Sequence, residues 1–266
     1  MSGTSSKPVA LVTGASAGIG AVYAERLAAR GYDLILVARR ADRLEALASR
    51  LADAHGSKVE VVEADLTWDT DVTRVERVIK ANPAISLLVN NAGKSTLAPV
   101  AKTSEQDAAA MITLNVTALT RLTHAILPAF LARNEGAIIN IASVLSLHST
   151  PISAIYSGTK GYVMNFSRGL QKELAATNVR LQLVLPATTA TELWDLSGVP
   201  LSTLNPASIM STENLVDAAL AGFDKGESIT LPSVADAGLW DTFDAARSKL
   251  FAATQTGETA PRYRAA

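Results

Sequence analysis

The stretch VALVTGASAGIG, residues 9–20, decides the fold of this chain. Val9–Thr13 is a short apolar run, typical of a buried strand. The glycines at positions 14, 18 and 20 follow it and lead into a helix-like stretch that ends before Gly31. Such glycines let the backbone turn tightly and approach a pyrophosphate, while free N–H groups at the helix start face the phosphate charge. We therefore predict a dinucleotide site here; a glycine-rich turn without a ligand is the alternative.

The same strand–helix alternation continues from Val9 to about Pro232. It predicts an α/β fold, a single Rossmann-like doubly wound domain with a seven-stranded parallel sheet and helices on both faces. The predicted strands are VALVT at Val9, YDLILVAR at Tyr32, KVEVVEAD at Lys58, ISLLVNNAG at Ile85, GAIINIAS at Gly136, VRLQLVLP at Val179 and SITLPS at Ser228. The predicted helices cover 41–55, 71–80, 104–133, 156–176 and 212–224, and Ser104 with Asp107 forms a capping-box-like start to the third.

Within this series we find no linker, repeat or break in composition. We predict one domain over residues 9–252, with an N-terminal tail over 1–8 and a loose C-terminal tail over 253–266. Residues 188–210 are rich in Thr, Ser and Pro and are too long for a simple connection, so we expect a lid over a substrate site. An apolar patch with Leu239 and Leu250 precedes the C-terminal tail and is expected to dock on the body or on another subunit.

Composition excludes several classes of function. The 266 residues are 48% hydrophobic and 18% charged, the net charge is -1, and no basic block could follow a nucleic acid backbone. The chain has no cysteine, and its three histidines are scattered, so we expect no metal site. The N-terminal apolar run is too short for a signal peptide, and we expect no later stretch to be long enough to span a bilayer. We expect a cytoplasmic protein whose partner is a small molecule rather than nucleic acid or a membrane.

The end of the second strand discriminates between cofactors. In a dinucleotide fold an acidic residue usually stands there and binds the ribose hydroxyls. Here the position is Ala38, followed by Arg39 and Arg40. Because a guanidinium grips a phosphate through a planar fork of donors, we predict NADP(H) in preference to NAD(H). The alternative is that both arginines are solvated at a strand end.

A second motif, SAIYSGTK at residues 153–160, places a tyrosine and a lysine four residues apart. On a helix, Tyr156 and Lys160 project from the same face, close enough for the ammonium to act on the phenol. A tyrosine hydroxyl ordinarily ionises near pH ~10, so a neighbouring cation is what would make it a useful acid–base group. Taken alone, the pair could equally be an ordinary surface pair.

Together these motifs closely resemble the short-chain dehydrogenase/reductase family, from about Val9 to Pro232. TGASAGIG resembles its cofactor motif, NNAG at residues 90–93 its structural motif, and Ser143, Tyr156 and Lys160 its catalytic serine and Tyr-x-x-x-Lys pair. Asn115 stands where the family places a helix asparagine, and Asp65 with Leu66 resembles its adenine contact. The resemblance implies that cofactor is bound by Gly14, Ser16, Gly18, Ile19, Gly20, Arg39, Arg40, Asp65, Leu66, Asn91, Ala92, Gly93, Tyr156, Lys160, Pro186, Thr188 and Thr191.

The resemblance also implies roles for the four catalytic candidates. Tyr156 would give or take the proton on the substrate oxygen, and Lys160 would lower its pKa and hold the nicotinamide ribose. Ser143 would donate a hydrogen bond to the substrate oxygen, and Asn115 would hold a water that refills the proton. One departure from the family is Pro186-Ala187, where Pro-Gly is common; the backbone there is expected to be less free.

The substrate site is expected to be mostly apolar, since it would be lined by the loop after Ser143 and by the lid. We predict that Ser143, Leu145, His148, Tyr156, Leu193 and Trp194 contact a hydrophobic ketone or secondary alcohol. The expected function is carbonyl reduction with NADPH, reversible as alcohol oxidation. A catalytically idle NADP(H)-binding sensor or scaffold and a nucleotide-sugar epimerase or dehydratase on a related fold are the alternatives. Family members usually assemble as tetramers or dimers, so a homo-oligomer is expected.

Overall fold

The structure is a computed structural model that describes residues 7–264, so most of the predicted N-terminal tail lies outside the described residues. The chain divides into two compact units, Met1–Pro232 and Ser233–Ala266. The first unit contains a seven-stranded sheet, all parallel, in the order β3-β2-β1-β4-β5-β6-β7. Its strands are β1 Val9–Thr13, β2 Asp33–Ala38, β3 Val59–Glu63, β4 Ile85–Asn90, β5 Gly136–Ile141, β6 Val179–Val184 and β7 Ile229–Thr230. The predicted fold class is confirmed.

Helices follow the strands on both faces of the sheet. They are α1 Gly18–Ala29, α2 Ala41–His55, α3 Asp69–Ala81, α4 Glu105–Ile112, α5 Leu119–Arg133, α6 Ala154–Glu173, α7 Leu193–Ser197 and α8 Thr212–Asp224. One apolar cluster joins α1, α2 and α8 to alternate strand residues such as Val12 and Leu36. A second cluster joins α3, α5 and α6 to the residues between them, such as Leu11 and Ile35. Both faces are therefore covered, which explains why strands in the interior of the sheet such as β1 and β4 are mostly apolar.

The predicted long helix over 104–133 is not one regular helix. Ser104 caps α4 by accepting a hydrogen bond from the backbone N–H of Asp107 at 3.0 Å, as its sequence suggested. Thr113–Ala118 then forms a π-helical segment before α5 begins. A π turn inserts one extra residue and re-aims the side chains that it carries, and such turns cluster at functional sites. Apolar periodicity is nearly the same across both helix types, so the sequence pattern missed the change.

The expectation that no stretch could span a bilayer also needs correction. The helical run Glu105–Arg133 is long and apolar enough to do so by length and composition alone. In the fold, however, its apolar residues Leu122, Ile126 and Phe130 are buried in the second core cluster against the sheet. A core helix of this kind passes the same test, so packing accounts for its apolar character.

A chain of buried amides and hydroxyls crosses the middle of the sheet. Asn90, at the end of β4, donates from Nδ2 to Thr123 Oγ1 at 3.0 Å and to Asn140 Oδ1 at 2.9 Å. Asn140, its register partner on β5, donates to Ser167 Oγ on α6 at 2.9 Å. All four side chains are buried. Because buried polar groups are costly unless paired, these bonds favour one arrangement of β4, β5, α5 and α6.

The predicted lid, residues 188–210, contains α7 and two 3₁₀ turns, Leu201–Thr203 and Pro206–Ser208. Its two ends meet, because Met210 donates to Thr188 O and accepts from Ala190 N, both at 2.9 Å. The lid is therefore a loop that is closed at its base by backbone hydrogen bonds.

The second unit consists of α9 Gly238–Ala253 and a 3₁₀ turn at Pro261–Tyr263. Leu239, Leu250 and Phe251 are exposed along α9. That this helix docks on the body or on another subunit stays a prediction.

Candidate active site

The glycine-rich turn after β1 has the geometry that its sequence suggested. Gly14 and Gly18 adopt φ values of 67° and 55°, where side chains are strained. A Cβ at Gly14 would come within 2.8 Å of Asn91 Nδ2, and a Cβ at Gly20 would run into the carbonyl oxygen of Gly14. The backbone is thus packed too tightly for any side chain at positions 14 and 20.

Thr13, a residue that the sequence analysis did not single out, ties this turn to the end of β4. Its hydroxyl accepts from the N–H groups of Asn91 and Ala92, both at 3.0 Å, and donates to Val89 O at 3.2 Å. Asn91 returns the contact by donating from Nδ2 to Thr13 O at 2.9 Å. β1 and β4 are neighbours at the point where the strand order reverses, which is where doubly wound folds bind ligands. The signal in the sequence was the threonine directly before Gly14.

The start of α1 fits the pyrophosphate of a dinucleotide. The helix begins at Gly18, its N-cap is Ala17, and no side chain caps it. Its first N–H groups therefore have no intrahelical or capping partner, and the helix dipole adds positive potential there. Because the glycines of the turn have no side chains, a phosphate has room to reach the N–H groups at the start of the helix.

The two arginines after β2 differ in their partners. Arg39 is 66% exposed at its side chain, and its contact with Asp65 is a long ion pair at 3.9 Å. Arg40 is held more firmly: Nε and Nη2 donate to Ser16 Oγ at 3.2 and 3.1 Å, and Nη1 lies 2.7 Å from Glu192 Oε2. Arg39 lines the cleft and is thus the arginine whose donors are less engaged.

Ser143, Tyr156 and Lys160 lie together where β5 ends and α6 begins. Tyr156 and Lys160 belong to the buried face of α6, which continues through Val163, Ser167 and Leu170. Ser143 Oγ accepts from Leu145 N at 3.1 Å, and its hydroxyl is also hydrogen-bonded to the Tyr156 phenol. Lys160 Nζ donates to Ile141 O at 2.9 Å. The three groups are buried between the sheet and the helix.

Burial sets the acidity of this pair. Desolvation raises the pKa of Tyr156 to about 12, offset in part by a hydrogen bond with Ser143. Desolvation lowers the pKa of Lys160 to about 8. The tyrosine shift is opposite in direction to the lowering that the sequence analysis expected from Lys160, because loss of water outweighs the other influences on the phenol. At neutral pH the phenol keeps its proton and most Lys160 side chains are charged.

Asn115 lies in the π segment and does not line the cleft. Its Oδ1 accepts from Lys94 N at 2.8 Å, and its Nδ2 donates to Lys94 O at 2.9 Å and to Thr159 Oγ1 at 3.0 Å. Its side chain is therefore committed to the loop after Gly93 and to α6. This arrangement supports a positioning role, and it gives the side chain no free donor for a water.

One cleft of about 520 Å³ joins the glycine turn to the Tyr156 region. It is lined by all predicted cofactor residues except Gly20, and by Ser143, Leu145, Leu193 and Trp194 among the predicted substrate residues. His148 is exposed and is not among the lining residues. Lining residues that the sequence analysis did not name as site residues include Ser95, Leu97, Thr189, Glu192, Val199 and Leu204. The inner lining is mostly apolar, as expected.

Ala187 also lines this cleft, where the family commonly has glycine. Among residues 7–264 the one non-glycine residue with positive φ is Asn134, so Ala187 adopts ordinary backbone dihedrals. The alanine therefore causes no strain at this position. Pro186 contributes its carbonyl to the N–H of Val144 at 2.9 Å, which joins the end of β6 to the loop that carries Ser143.

The lid is fastened on both sides of the cleft. On one side, Leu97 N donates to Ser197 O at 2.7 Å. On the other, Glu192 pairs with Arg40 and with Arg43, each at 2.7 Å. The arrangement as a whole can bind an elongated anionic molecule at the glycine turn and present its far end to a proton donor beneath a partly apolar cover.

Comparison with known proteins agrees with this geometry. A model of the short chain dehydrogenase family matches residues 8–198. A short-chain dehydrogenase from Sphingobium yanoikuyae in complex with NADPH superposes with a TM-score of 0.94 at 44% identity, covering 97% of this chain and 100% of that one. A bulky-bulky ketone specific alcohol dehydrogenase from Comamonas testosteroni superposes with a TM-score of 0.89 at 38% identity, covering 97% of this chain and 99% of that one.

Among curated relatives, the very-long-chain 3-oxoacyl-CoA reductase of Anas platyrhynchos is 33% identical over 196 residues. The match covers 71% of this chain and 62% of that protein. The matched region thus spans less than two thirds of that relative's length.

Proposed function

The chain belongs to the short-chain dehydrogenase family, and on that premise we propose that it is an NADP(H)-dependent oxidoreductase acting on a mostly apolar ketone or aldehyde. The reverse reaction is oxidation of the corresponding secondary alcohol. The observation that carries the proposal is the convergence of Ser143, Tyr156 and Lys160 on the wall of a cleft that begins at the glycine turn.

The cofactor residues divide between the two ends of the cleft. The N–H groups at the start of α1 would hold the pyrophosphate, and Asp65 with Leu66 would face the adenine. Arg39 would bind the 2′-phosphate, because its donors are the less engaged of the two arginines. Lys160, Asn91 and Thr188 would hold the nicotinamide half. The bound NADPH in the Sphingobium relative supports this choice of cofactor.

Bound dinucleotide supplies a hydride at its nicotinamide ring, and the protein must handle the proton. Tyr156 holds that proton at neutral pH, because burial raises its pKa to about 12. As the carbonyl is reduced, the phenol donates to the forming alkoxide, and the Lys160 ammonium stabilises the negative charge left on the tyrosine. Ser143 would turn its hydroxyl proton from Tyr156 to the same substrate oxygen and so orient the carbonyl group.

The substrate class follows from the lining of the cleft. Leu145, Leu193, Trp194 and Leu204 provide apolar surface, and the lid provides a cover that excludes water. The cleft volume of about 520 Å³ has to hold the cofactor as well as the substrate, so the volume does not define the substrate's size. The apolar lining supports a hydrophobic carbonyl compound. The Comamonas relative, specific for bulky-bulky ketones, supports a ketone with substituents on both sides.

An idle NADP(H)-binding sensor or scaffold is the second candidate function. It would use the glycine turn and Arg39 in the same way, but it would not need Ser143, Tyr156 and Lys160 in one buried cluster. The presence of all three therefore favours the enzyme.

A substrate panel tests the proposal. The purified protein is assayed by nicotinamide absorbance with ketones, aldehydes and secondary alcohols of increasing size, with NADPH and NADH in parallel. The expected result is turnover of apolar ketones with NADPH. Binding of NADPH without turnover of any compound would favour the sensor instead, and failure to bind either dinucleotide would contradict both functions.

A further inference from the structure

Glu192, in the lid, lies between two arginines of the strand-end loop and α2. Its Oε2 is 2.7 Å from Arg40 Nη1, and its Oε1 is 2.7 Å from Arg43 Nη1. These two hydrogen bonds hold the pKa of the Glu192 carboxyl below its usual range, so the group is ionised at neutral pH. The lid therefore brings a negative charge to the end of the cleft where cationic side chains gather.

Arg40 divides its donors between two partners. Nε and Nη2 point at Ser16, and Nη1 points at Glu192. Ser16, Arg39 and Arg40 surround the position beside Ala38 where a dinucleotide fold places the ribose hydroxyls. A 2′-phosphate at that position would compete with Glu192 for the donors of Arg40, because Nη1 of that arginine is already bonded to the carboxylate.

We propose that Glu192 is a specificity-determining residue: it competes with the 2′-phosphate for Arg40 and so limits the preference for NADPH over NADH. The proposal rests on the proposed function. Arg39 supplies the preference for the phosphate, and Glu192 reduces it. Arg43 holds the other oxygen of Glu192 and so keeps part of that carboxylate's charge away from Arg40.

A purely mechanical role for Glu192 makes a different prediction. If the carboxylate only fastened the lid, its loss would change the affinity for NADPH and NADH by the same factor. The ratio of the two dissociation constants would then be unchanged. The ratio therefore separates competition for Arg40 from lid closure.

The test measures the dissociation constants of NADPH and NADH by fluorescence titration in the absence of substrate. Glu192→Gln is expected to raise the preference for NADPH by about two- to fivefold, the size of a half-exposed charge interaction. Asp195→Asn is the matched control, because Asp195 is an exposed acid of the lid helix that Glu192 precedes and does not line the cleft. It should leave the ratio unchanged. The preference for NADPH is the dissociation constant of NADH divided by that of NADPH. An unchanged or lower preference in Glu192→Gln would overturn the proposal.

Two further variants show whether the effect passes through Arg40. Arg43→Gln should lower the preference for NADPH, since Glu192 then pairs with Arg40 alone, and it should have no such effect in the Glu192→Gln background. In an Arg40→Gln background, Glu192→Gln should no longer change the ratio. A persistent effect in that background would contradict the sharing of Arg40. If the wild-type chain binds neither dinucleotide, the proposed function fails; if it binds both and only the ratio is insensitive, this inference alone fails.

Discussion

Lys160 Nζ lies 5.8 Å from the centre of the Tyr156 ring and is held by the carbonyl of Ile141 rather than by the phenol. The ammonium can therefore act on the tyrosine only through space, and the end of β5 fixes its position. Since both groups are buried, their interaction is weakly screened by water. The pair is thus arranged to stabilise a tyrosinate once it forms, while burial keeps the phenol protonated beforehand.

Replacement of Tyr156 by phenylalanine should abolish proton delivery without disturbing the cofactor end of the cleft. We expect kcat/KM for ketone reduction to fall by about 10²- to 10⁴-fold while the dissociation constant of NADPH changes little. Tyr162→Phe is the control, because Tyr162 lies on the same helix with its hydroxyl bonded to Thr120 and does not line the cleft. Wild-type rates in Tyr156→Phe would exclude this tyrosine as the acid.

Replacement of Arg39 by aspartate should reverse the cofactor preference. An acid at the end of β2 repels a 2′-phosphate and can accept hydrogen bonds from ribose hydroxyls. We expect the NADPH/NADH ratio of kcat/KM to fall at least about tenfold. Arg77→Asp makes the same charge change on the exposed surface of α3 and should leave the ratio as it was. The same ratio in both variants would rule out Arg39 as the phosphate ligand.

Cofactor binding should weaken as the pH rises through about 8. The pKa of Lys160 is lowered to about 8, so above that pH the side chain loses its charge and one of its donors. The measurement is NADPH titration from pH 6 to 10 in Tyr156→Phe, which removes any titration of the phenol. Lys160→Met should show no step at that pH. If the dissociation constant of NADPH did not change with pH in Tyr156→Phe, the pH dependence of cofactor binding would not come from Lys160.

The buried lysine should also cost stability. The folded-state pKa of Lys160 is about 8 against an ordinary 10.5, so between those values the unfolded chain binds more protons and the free energy of unfolding rises with pH. Below pH 8 the full cost of burying the charge is present, roughly 3 kcal/mol. The bond to Ile141 returns about 1 kcal/mol.

Lys160→Met should therefore stabilise the cofactor-free protein by about 2 kcal/mol at pH 7 and by less at pH 9.5. The measurement is denaturant unfolding at both pH values. Lys172→Met, an exposed lysine of the same helix, should change stability little at either. A destabilised Lys160→Met at pH 7 would mean that packing around the ammonium outweighs its desolvation.

The chain is expected to assemble into dimers or tetramers through the helices that carry Asn115 and Tyr156. Both helical regions present exposed apolar side chains, Ile112 before the π segment and Tyr162 on α6. Light scattering of the purified protein measures the assembly. Ile112→Lys with Tyr162→Lys should shift it toward monomer, whereas a monomeric wild-type protein would contradict the prediction.

The architecture could be predicted from the sequence because a local pattern of apolar residues indicates each strand and most helices. Ala41–His55 and Thr212–Asp224 begin and end where their patterns do. The π segment at Asn115 was missed, because one extra residue in a helical turn barely alters apolar periodicity. Glu192 was missed for a different reason. Its role depends on Arg40 and Arg43, about 150 residues earlier, and only the folded lid brings the three together.

The direction of the tyrosine shift could not be predicted from spacing either. A lysine four residues away indicates a nearby cation, but the pKa of Tyr156 depends more on how much water its hydroxyl loses. Burial is a property of the whole fold, since the sheet, α6 and the loop at Ser143 all contribute to it.

The pairing of Asn90 with Asn140 in the middle of the sheet also fixes the register between the two loops that follow β4 and β5. Gly93 follows Asn90 by three residues, and Ser143 follows Asn140 by the same number. A slip of β5 by one residue along β4 would carry Ser143 about 3.3 Å along the strand direction and turn alternate side chains to the opposite face. The hydrogen bonds between the buried amides would break in the slipped register. The two asparagines therefore fix the position of Ser143 relative to Gly93, and so align the proton-delivery site with the cofactor site.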